Sequence, residues 1–258
     1  MAASQKPAHY PSLENAAVVI TGGASGIGAA MVEQFALQGA RVAFLDIGEE
    51  SAAALIEKLS PQVANMPEFF PCDLTDIAAL QSAIKKIDAQ FGAIRILVNN
   101  AASDDRHKFS EVTQEYWDER MNVNLRHHFF TIQAVAPGMT KAGGGSIINM
   151  SSISWMIPSI GLPAYITAKA GIVGLTRTLS RELGGSNIRI NCISPGAIMT
   201  ERQRRLWMTP DYLAEIMRCQ SIKRELIPED VAKLVLFLAS EDSSAITGQN
   251  FVIDGGWV

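Results

Sequence analysis

Tyr165 and Lys169 lie four residues apart in the hexapeptide AYITAK, a stretch otherwise made of small or apolar side chains. Four residues on a helix return to the same face, so the two heads reach a common point. The phenol is the candidate acid/base and the ammonium the group that tunes it. A tyrosine hydroxyl titrates near ~10 and is a poor base at neutral pH unless its anion is stabilised. A neighbouring ammonium that lowers this by about two to three units supplies roughly 3 to 4 kcal/mol of differential stabilisation. The pair could equally be an accident of a helix surface, so the rest of the chain has to decide.

Short apolar runs at 16–22, 41–46, 67–74, 94–101, 145–152, 188–196 and 249–256 have strand length. Most are too continuously apolar for a sheet with one wet face. Segments of helical periodicity separate the first six: 27–39, 49–60, 76–92, 117–139 and 164–185. This alternation predicts right-handed βαβ units in one parallel, doubly wound sheet. No linker, repeat or low-complexity stretch divides the chain, so one catalytic domain is expected over 16–258, after a polar extension at 1–15.

The first strand ends in TGGASGIG, residues 21–28. Gly22, Gly26 and Gly28 there can supply a tight turn, close backbone approach to a pyrophosphate and close helix packing. The helix that follows points its amino end at the phosphates. Asp46, at the end of the second strand, is placed to accept hydrogen bonds from an adenosine ribose diol and to repel a 2′-phosphate. No Lys or Arg lies in the glycine turn or directly after Asp46. NAD is therefore favoured over NADP.

Composition limits the partners. With 258 residues, 48% apolar, 19% charged and a net charge of −4, the chain has no electrostatic footprint for nucleic acid or an anionic membrane. Its three cysteines, Cys72, Cys192 and Cys219, show neither metal-ligand nor disulfide spacing, which fits a reducing compartment. No apolar segment reaches the length of a membrane span, and the first fifteen residues are too polar for a signal peptide. A cytoplasmic protein is expected. The adjacent His127 and His128 have no carboxylate at metal-ligand spacing and are expected on a helix or subunit surface; no metal is expected.

Taken in order, the glycine turn, the NNA of 99–101, Ser152 ahead of Tyr165-x-x-x-Lys169, and Pro195-Gly196 resemble the single-domain short-chain dehydrogenases/reductases. The resemblance runs through nearly the whole chain and implies an α/β Rossmann domain with a seven-stranded parallel sheet, usually assembled as a homotetramer. It departs at Ala102, where the family pattern usually has Gly. It implies that Tyr165 takes the proton of a substrate alcohol as hydride leaves its carbon, helped by the positive charge of oxidised nicotinamide. Ser152 would hydrogen-bond the same oxygen, Lys169 would also hold the nicotinamide ribose, and Asn124 would interrupt a helix and hold a water in the proton path. For the cofactor it implies contacts from Ser25 and Ile27 in the turn, Asp73 and Leu74 at the adenine edge, and Asn99 under the adenosine ribose. Pro195, Gly196, Ile198 and Thr200 would lie about the nicotinamide. Asp73 and Asn99 could instead be turn-forming polar residues. The small Ala168, Gly171 and Gly174 suit either a subunit interface or core packing.

The substrate has to be read from irregular segments outside the carboxyl ends of the strands. SDDRHK at 103–108 is either a pocket wall or a solvated turn, and 201–212 would form a lid. Arg106, Ser154, Trp155, Arg204 and Trp207, with Ser152 and Tyr165, offer donors and aromatic faces suited to a small polyhydroxylated ligand. NNAxxDDRHK, WDERMNVNLRHHFF, SISW, the run at 199–203 and the final DGGWV are similar to bacterial NAD-dependent sugar dehydrogenases of the D-xylose 1-dehydrogenase type. These oxidise the anomeric carbon of an aldopyranose to a lactone. The alternative is oxidation of a secondary alcohol in a 2-keto-3-deoxy sugar acid, with Arg106, Arg202 or Arg204 clamping its carboxylate. An epimerase would need a second substrate domain, and a non-catalytic NAD sensor would lose Ser, Tyr or Lys.

Overall fold

A computed structural model describes residues 8–258. Seven strands form one parallel sheet in the order β3-β2-β1-β4-β5-β6-β7. They are β1 (Ala17–Thr21), β2 (Arg41–Asp46), β3 (Glu68–Pro71), β4 (Ile96–Asn99), β5 (Gly145–Met150), β6 (Ile188–Pro195) and β7 (Asn250–Ile253). Each falls inside one of the apolar runs. β1 shows why the runs are continuous: Val18 and Ile20 belong to one core layer, Ala17 and Val19 to the other, and all are at most 2% exposed. Burying each such aliphatic side chain contributes about 1.5 to 3 kcal/mol.

Helices cover both faces. α1 (Gly26–Leu37), α2 (Glu49–Leu59) and α9 (Pro228–Ala239) pack into the core layer with Val18 and Ile20, while α3 (Ile77–Phe91), α5 (His127–Lys141) and α6 (Pro163–Leu183) pack into the opposite layer. α4 (Gln114–Met121), α7 (Glu201–Leu206) and α8 (Pro210–Cys219) lie off the sheet. The order reverses between β1 and β4, which opens the crevice at the carboxyl ends of the strands where ligands bind in such sheets.

Three expectations change. The helix expected over 117–139 is broken by a π-helical segment, Asn122–Arg126. A wider turn frees a carbonyl from the α-pattern, and the Asn124 amide supplies the replacement, donating to Arg120 O at 2.9 Å. Of the polar extension expected at 1–15, residues 1–7 lie outside the described residues. The remainder is not all polar surface, since Leu13 is buried and Tyr10 packs against the core. The third change concerns α9, which fills a stretch that the alternation of apolar runs leaves without an element. Among the described residues no helix is long and apolar enough to cross a membrane.

Candidate active site

The glycine turn follows β1. Gly22 and Gly26 have φ of 66° and 55°, in the left-handed region that glycine enters without strain. Gly28 is required for another reason: a Cβ there would lie 1.8 Å from Gly22 O. Ser25 caps α1 without a side-chain cap bond, and no acidic side chain stands in the first turn. The first amides therefore face outward with no competing carboxylate, as a pyrophosphate requires. Asp46 is pinned to the turn, with Oδ2 accepting from Ala24 N at 2.9 Å and Oδ1 from Ile47 N at 2.8 Å and Gly48 N at 3.0 Å. Asn100, which carries no expected role, ties the first and fourth strands together. Its amide donates to Thr21 O at 3.1 Å and Gly22 O at 3.0 Å. At the far side, a Cβ on Gly196 would meet Asp254 Cβ at 2.7 Å, so Pro195-Gly196 turns where only glycine fits. Every part of this cradle fits a dinucleotide.

Ser152, Tyr165 and Lys169 converge beyond the end of β5. Tyr165 stands in the first turn of α6, where Pro163 starts the helix with its φ already set. Lys169 is 2% exposed; its Nζ donates to Met150 O at 2.8 Å and lies 5.4 Å from the Tyr165 ring centroid. Burial pushes the ammonium down to about 8. The phenol is not lowered as the spacing predicts. In the protein alone it is pushed up, first by burial and then by the charge of Asp104, while a hydrogen bond from Ser152 pulls the other way. Ser152 is itself fixed, its Oγ accepting from Ser154 N at 3.1 Å. The one-turn spacing brings the groups together, but lysine alone does not outweigh desolvation.

Several other expected residues are engaged elsewhere. Asn99 is fully buried and donates to Asn149 Oδ1 at 2.9 Å while accepting from Thr131 Oγ1 at 2.6 Å, so its amide stitches the sheet to α5. Asn124 accepts from Ser103 N at 2.9 Å and donates to Ser103 O at 3.1 Å besides Arg120 O. Both amide protons are spent, and Oδ1 has one partner. Asp73 accepts from Thr75 N and Oγ1, both at 2.8 Å, as a turn residue does, and Leu74 is buried. Thr200 caps α7 by accepting from Gln203 N at 3.1 Å, and its methyl group comes within 3.3 Å of a Cβ built on Gly26, so the lid begins against the glycine turn.

His127 and His128 are fully buried, not on a surface. His127 Nε2 donates to Ala101 O at 3.1 Å and His128 Nδ1 to Asn149 Oδ1 at 3.4 Å. Burial lowers His127 to about 3 and His128 well below the ordinary imidazole range, so both are neutral. Among the described residues no cluster could hold a metal.

A cavity of about 600 Å³ opens over Ser152 and Tyr165. Ile27, Pro195, Gly196, Ile198 and Thr200 line it from the cofactor side, and Asp104, Arg106, Ser154, Gln203, Tyr212 and Trp257 from the other. Ser154 Oγ is buried without a partner. Three expected substrate residues do not line the cavity. Trp155 points to solvent, Arg204 is paired with Glu225, and Trp207 serves as a platform beneath Arg106, whose guanidinium lies 4.3 Å from its ring centroid. Gln203 and Trp257 lie in the run at 199–203 and the final DGGWV, and Tyr212 in the lid segment, but nothing in those runs assigns them to the substrate; the fold brings them to the wall.

The charged turn at 103–108 is neither simply wall nor simply solvated. Asp104 accepts from Arg202 Nε at 3.1 Å and from Gln203 Nε2 at 2.5 Å, and Asp105 accepts from a second Arg202 nitrogen at 2.5 Å. Asp105 also pairs with Arg120 at 3.0 Å. The turn is thus latched to α7.

A dinucleotide cradle opening onto a Ser–Tyr–Lys cluster at the switch point of a parallel sheet defines an oxidoreductase that uses a nicotinamide cofactor. The chain belongs to the short-chain dehydrogenase/reductase family. A family profile described as enoyl-(acyl carrier protein) reductase matches residues 22–258. The chain is 52% identical over 247 residues to the probable galactose dehydrogenase of Rhizobium meliloti, covering 96% of each. It is 52% identical over 248 residues to the D-xylose 1-dehydrogenase of Caulobacter vibrioides, covering 96% of this chain and 98% of that protein. Among solved structures, a 7α-hydroxysteroid dehydrogenase complexed with NADH and 7-oxo glycochenodeoxycholic acid superposes with a TM-score of 0.91 at 30% identity, covering 96% of each chain.

Proposed function

We propose that the protein oxidises the anomeric hydroxyl of an aldopyranose to a lactone with NAD. The observation that carries this is the cavity beside Tyr165, whose wall joins Asp104, Arg106, Ser154 and Gln203 to the aromatic faces of Tyr212 and Trp257. A sugar ring needs both kinds of partner. The two relatives at 52% identity, named for galactose and D-xylose, support the same substrate class.

When bound, NAD supplies a hydride acceptor and a positively charged ring that favours the phenolate. The chain does the rest. Ser152 and Tyr165 hold the C1 oxygen, the C1–H bond breaks with its electron pair, and the hydroxyl proton passes to Tyr165 Oη. Lys169, anchored on Met150 O, keeps a positive charge beside the ring and would hold the nicotinamide ribose. The glycine turn and Asp46 hold the adenosine half, and the Asp46 carboxylate repels a 2′-phosphate, which favours NAD over NADP.

A 2-keto-3-deoxy sugar acid suits the site less well. Of the three arginines expected as its clamp, Arg202 and Arg204 already hold carboxylates of the chain itself, Asp104 and Asp105 for the first and Glu225 for the second, which leaves Arg106, stacked on Trp207 at the cavity wall. The exposed apolar groove formed by Leu125, Phe129, Phe130, Gly171 and Leu175 suits packing against a second copy, in keeping with a tetramer. The test of the function is reduced-nicotinamide absorbance with NAD and a panel of free aldoses and their keto-deoxy acids. Turnover of aldoses with lactone formation is expected; turnover confined to the acids would overturn it.

A further inference from the structure

The latch between the charged turn and α7 has a consequence at the reacting oxygen. We propose that Arg202 is a positioning residue that tunes the Tyr165 base: by pairing with Asp104 when α7 lies over the cavity, it offsets a carboxylate that otherwise opposes the phenolate. The inference rests on Tyr165 being the base.

The geometry is specific. Asp104 lines the cavity with Tyr165. Both of its oxygens are taken by neighbouring residues of α7, Oδ1 by Arg202 Nε at 3.1 Å and Oδ2 by Gln203 Nε2 at 2.5 Å. The Arg202 fork reaches Asp105 with its other arm at 2.5 Å. Asp105 in turn is fixed by Ser103 Oγ at 2.8 Å and by Arg120 at 3.0 Å, and Arg120 is only 9% exposed. One end of the latch is therefore rooted in α4, while the other belongs to a six-residue helix. Asp104 is a single negative charge whose cation comes from the lid.

The other groups about the phenol leave Asp104 as the acidic one that acts on it. Ser152, after β5, hydrogen-bonds to it and favours the anion. Lys169, on the same helix, faces the ring. His127 and His128 of α5 are neutral behind Lys169, and Cys192 of β6 is pushed up to about 12 and stays a thiol. From α8, Glu215 and Arg218 line the cavity as a pair bonded to each other at 2.6 Å. Arg106 is stacked on Trp207 and Tyr212. Burial is the larger cause that raises the phenol and the Asp104 charge the second. With Arg202 removed, Asp105 would keep Arg120 but Asp104 would keep only the neutral Gln203 amide, and the field at Tyr165 would turn more negative.

The test is the pH profile of kcat/KM for aldose oxidation in the wild type, Arg202→Gln, Asp104→Asn and the double variant. The rising limb should move up in Arg202→Gln by roughly half to one pH unit, the effect of one partly screened charge. It should move down in Asp104→Asn, and in the double variant it should not exceed the wild-type position. An Arg202→Gln enzyme that is slower at every pH with its limb unmoved would make the latch purely mechanical and overturn the proposal. If instead wild-type activity survives Tyr165→Phe with its limb intact, the reading of Tyr165 fails, and the two failures are distinct.

Discussion

Lys169 Nζ stands 2.8 Å from Met150 O and 5.4 Å from the centre of the Tyr165 ring, so the cation is tied to the end of β5 while facing the phenol. The carbonyl fixes where the charge sits, and burial keeps it from being fully secure, drawing the ammonium down to about 8. The site holds an acid/base, a cation and a hydroxyl whose positions come from two pieces of chain, α6 for Tyr165 and Lys169 and the segment after β5 for Ser152.

Replacing Tyr165 by Phe removes the proton acceptor and leaves the cradle intact. Turnover should fall by about a thousandfold or more, within the range that general acid–base groups contribute, while NADH binding stays within a few-fold. Fluorescence titration with NADH beside steady-state kinetics checks both halves. Lost cofactor binding would count against the assigned role.

Lys169 is kept at a cost in stability. Its folded value near 8 lies below its unfolded 10.5, so between these values the unfolded chain binds more protons and stability rises with pH. Below 8 the full penalty persists. Lys169→Met should therefore be inactive yet more stable at neutral pH, by about 2 to 3 kcal/mol once the lost hydrogen bond is allowed for, and the gain should shrink towards pH 10.5. Urea unfolding at neutral and alkaline pH measures it.

The two buried histidines make a demand of the same sign at low pH. Their folded values lie below 6.5, His127 at about 3, so stability present above 6.5 is lost as pH falls toward 3. The pair should give a slope of about 2.7 kcal/mol per pH unit in that window, twice the value for one group. His127→Gln should halve it, as unfolding free energies at about pH 6 and pH 5 would reveal. An unchanged slope would mean that His127 titrates normally.

Asp46→Ala should raise the relative use of NADP, by about tenfold or more in the ratio of kcat/KM values, because the carboxylate that repels a 2′-phosphate is gone. Overall activity should also fall, since Ala24, Ile47 and Gly48 amides lose their acceptor. An unmoved preference would leave the diol without its partner.

Much of this was legible in the residues. β1 and β2 announce themselves because both faces are covered, and the glycine turn because a side chain at Gly28 has nowhere to go. Tyr165 and Lys169 are readable from the period of a helix. Other features depend on contacts that no local pattern records. His127 and His128 are expected on a surface, but successive helical residues are only about 100° apart, and a helix lying on a sheet buries a face that wide. Asn99 and Asn100 are neighbours of the same type; one is absorbed by Asn149 and Thr131, the other by the glycine turn, and only the pairing of strands distinguishes them. Arg202 and Asp104 are 98 residues apart, so the latch could not be anticipated from either segment.

The most direct measurement uses an aldose deuterated at C1, with NAD and the purified protein. Hydride transfer from the anomeric carbon predicts that the label appears in the reduced nicotinamide, one deuteron for each lactone formed. Reduced cofactor without label would place the oxidised carbon elsewhere on the sugar and contradict the account.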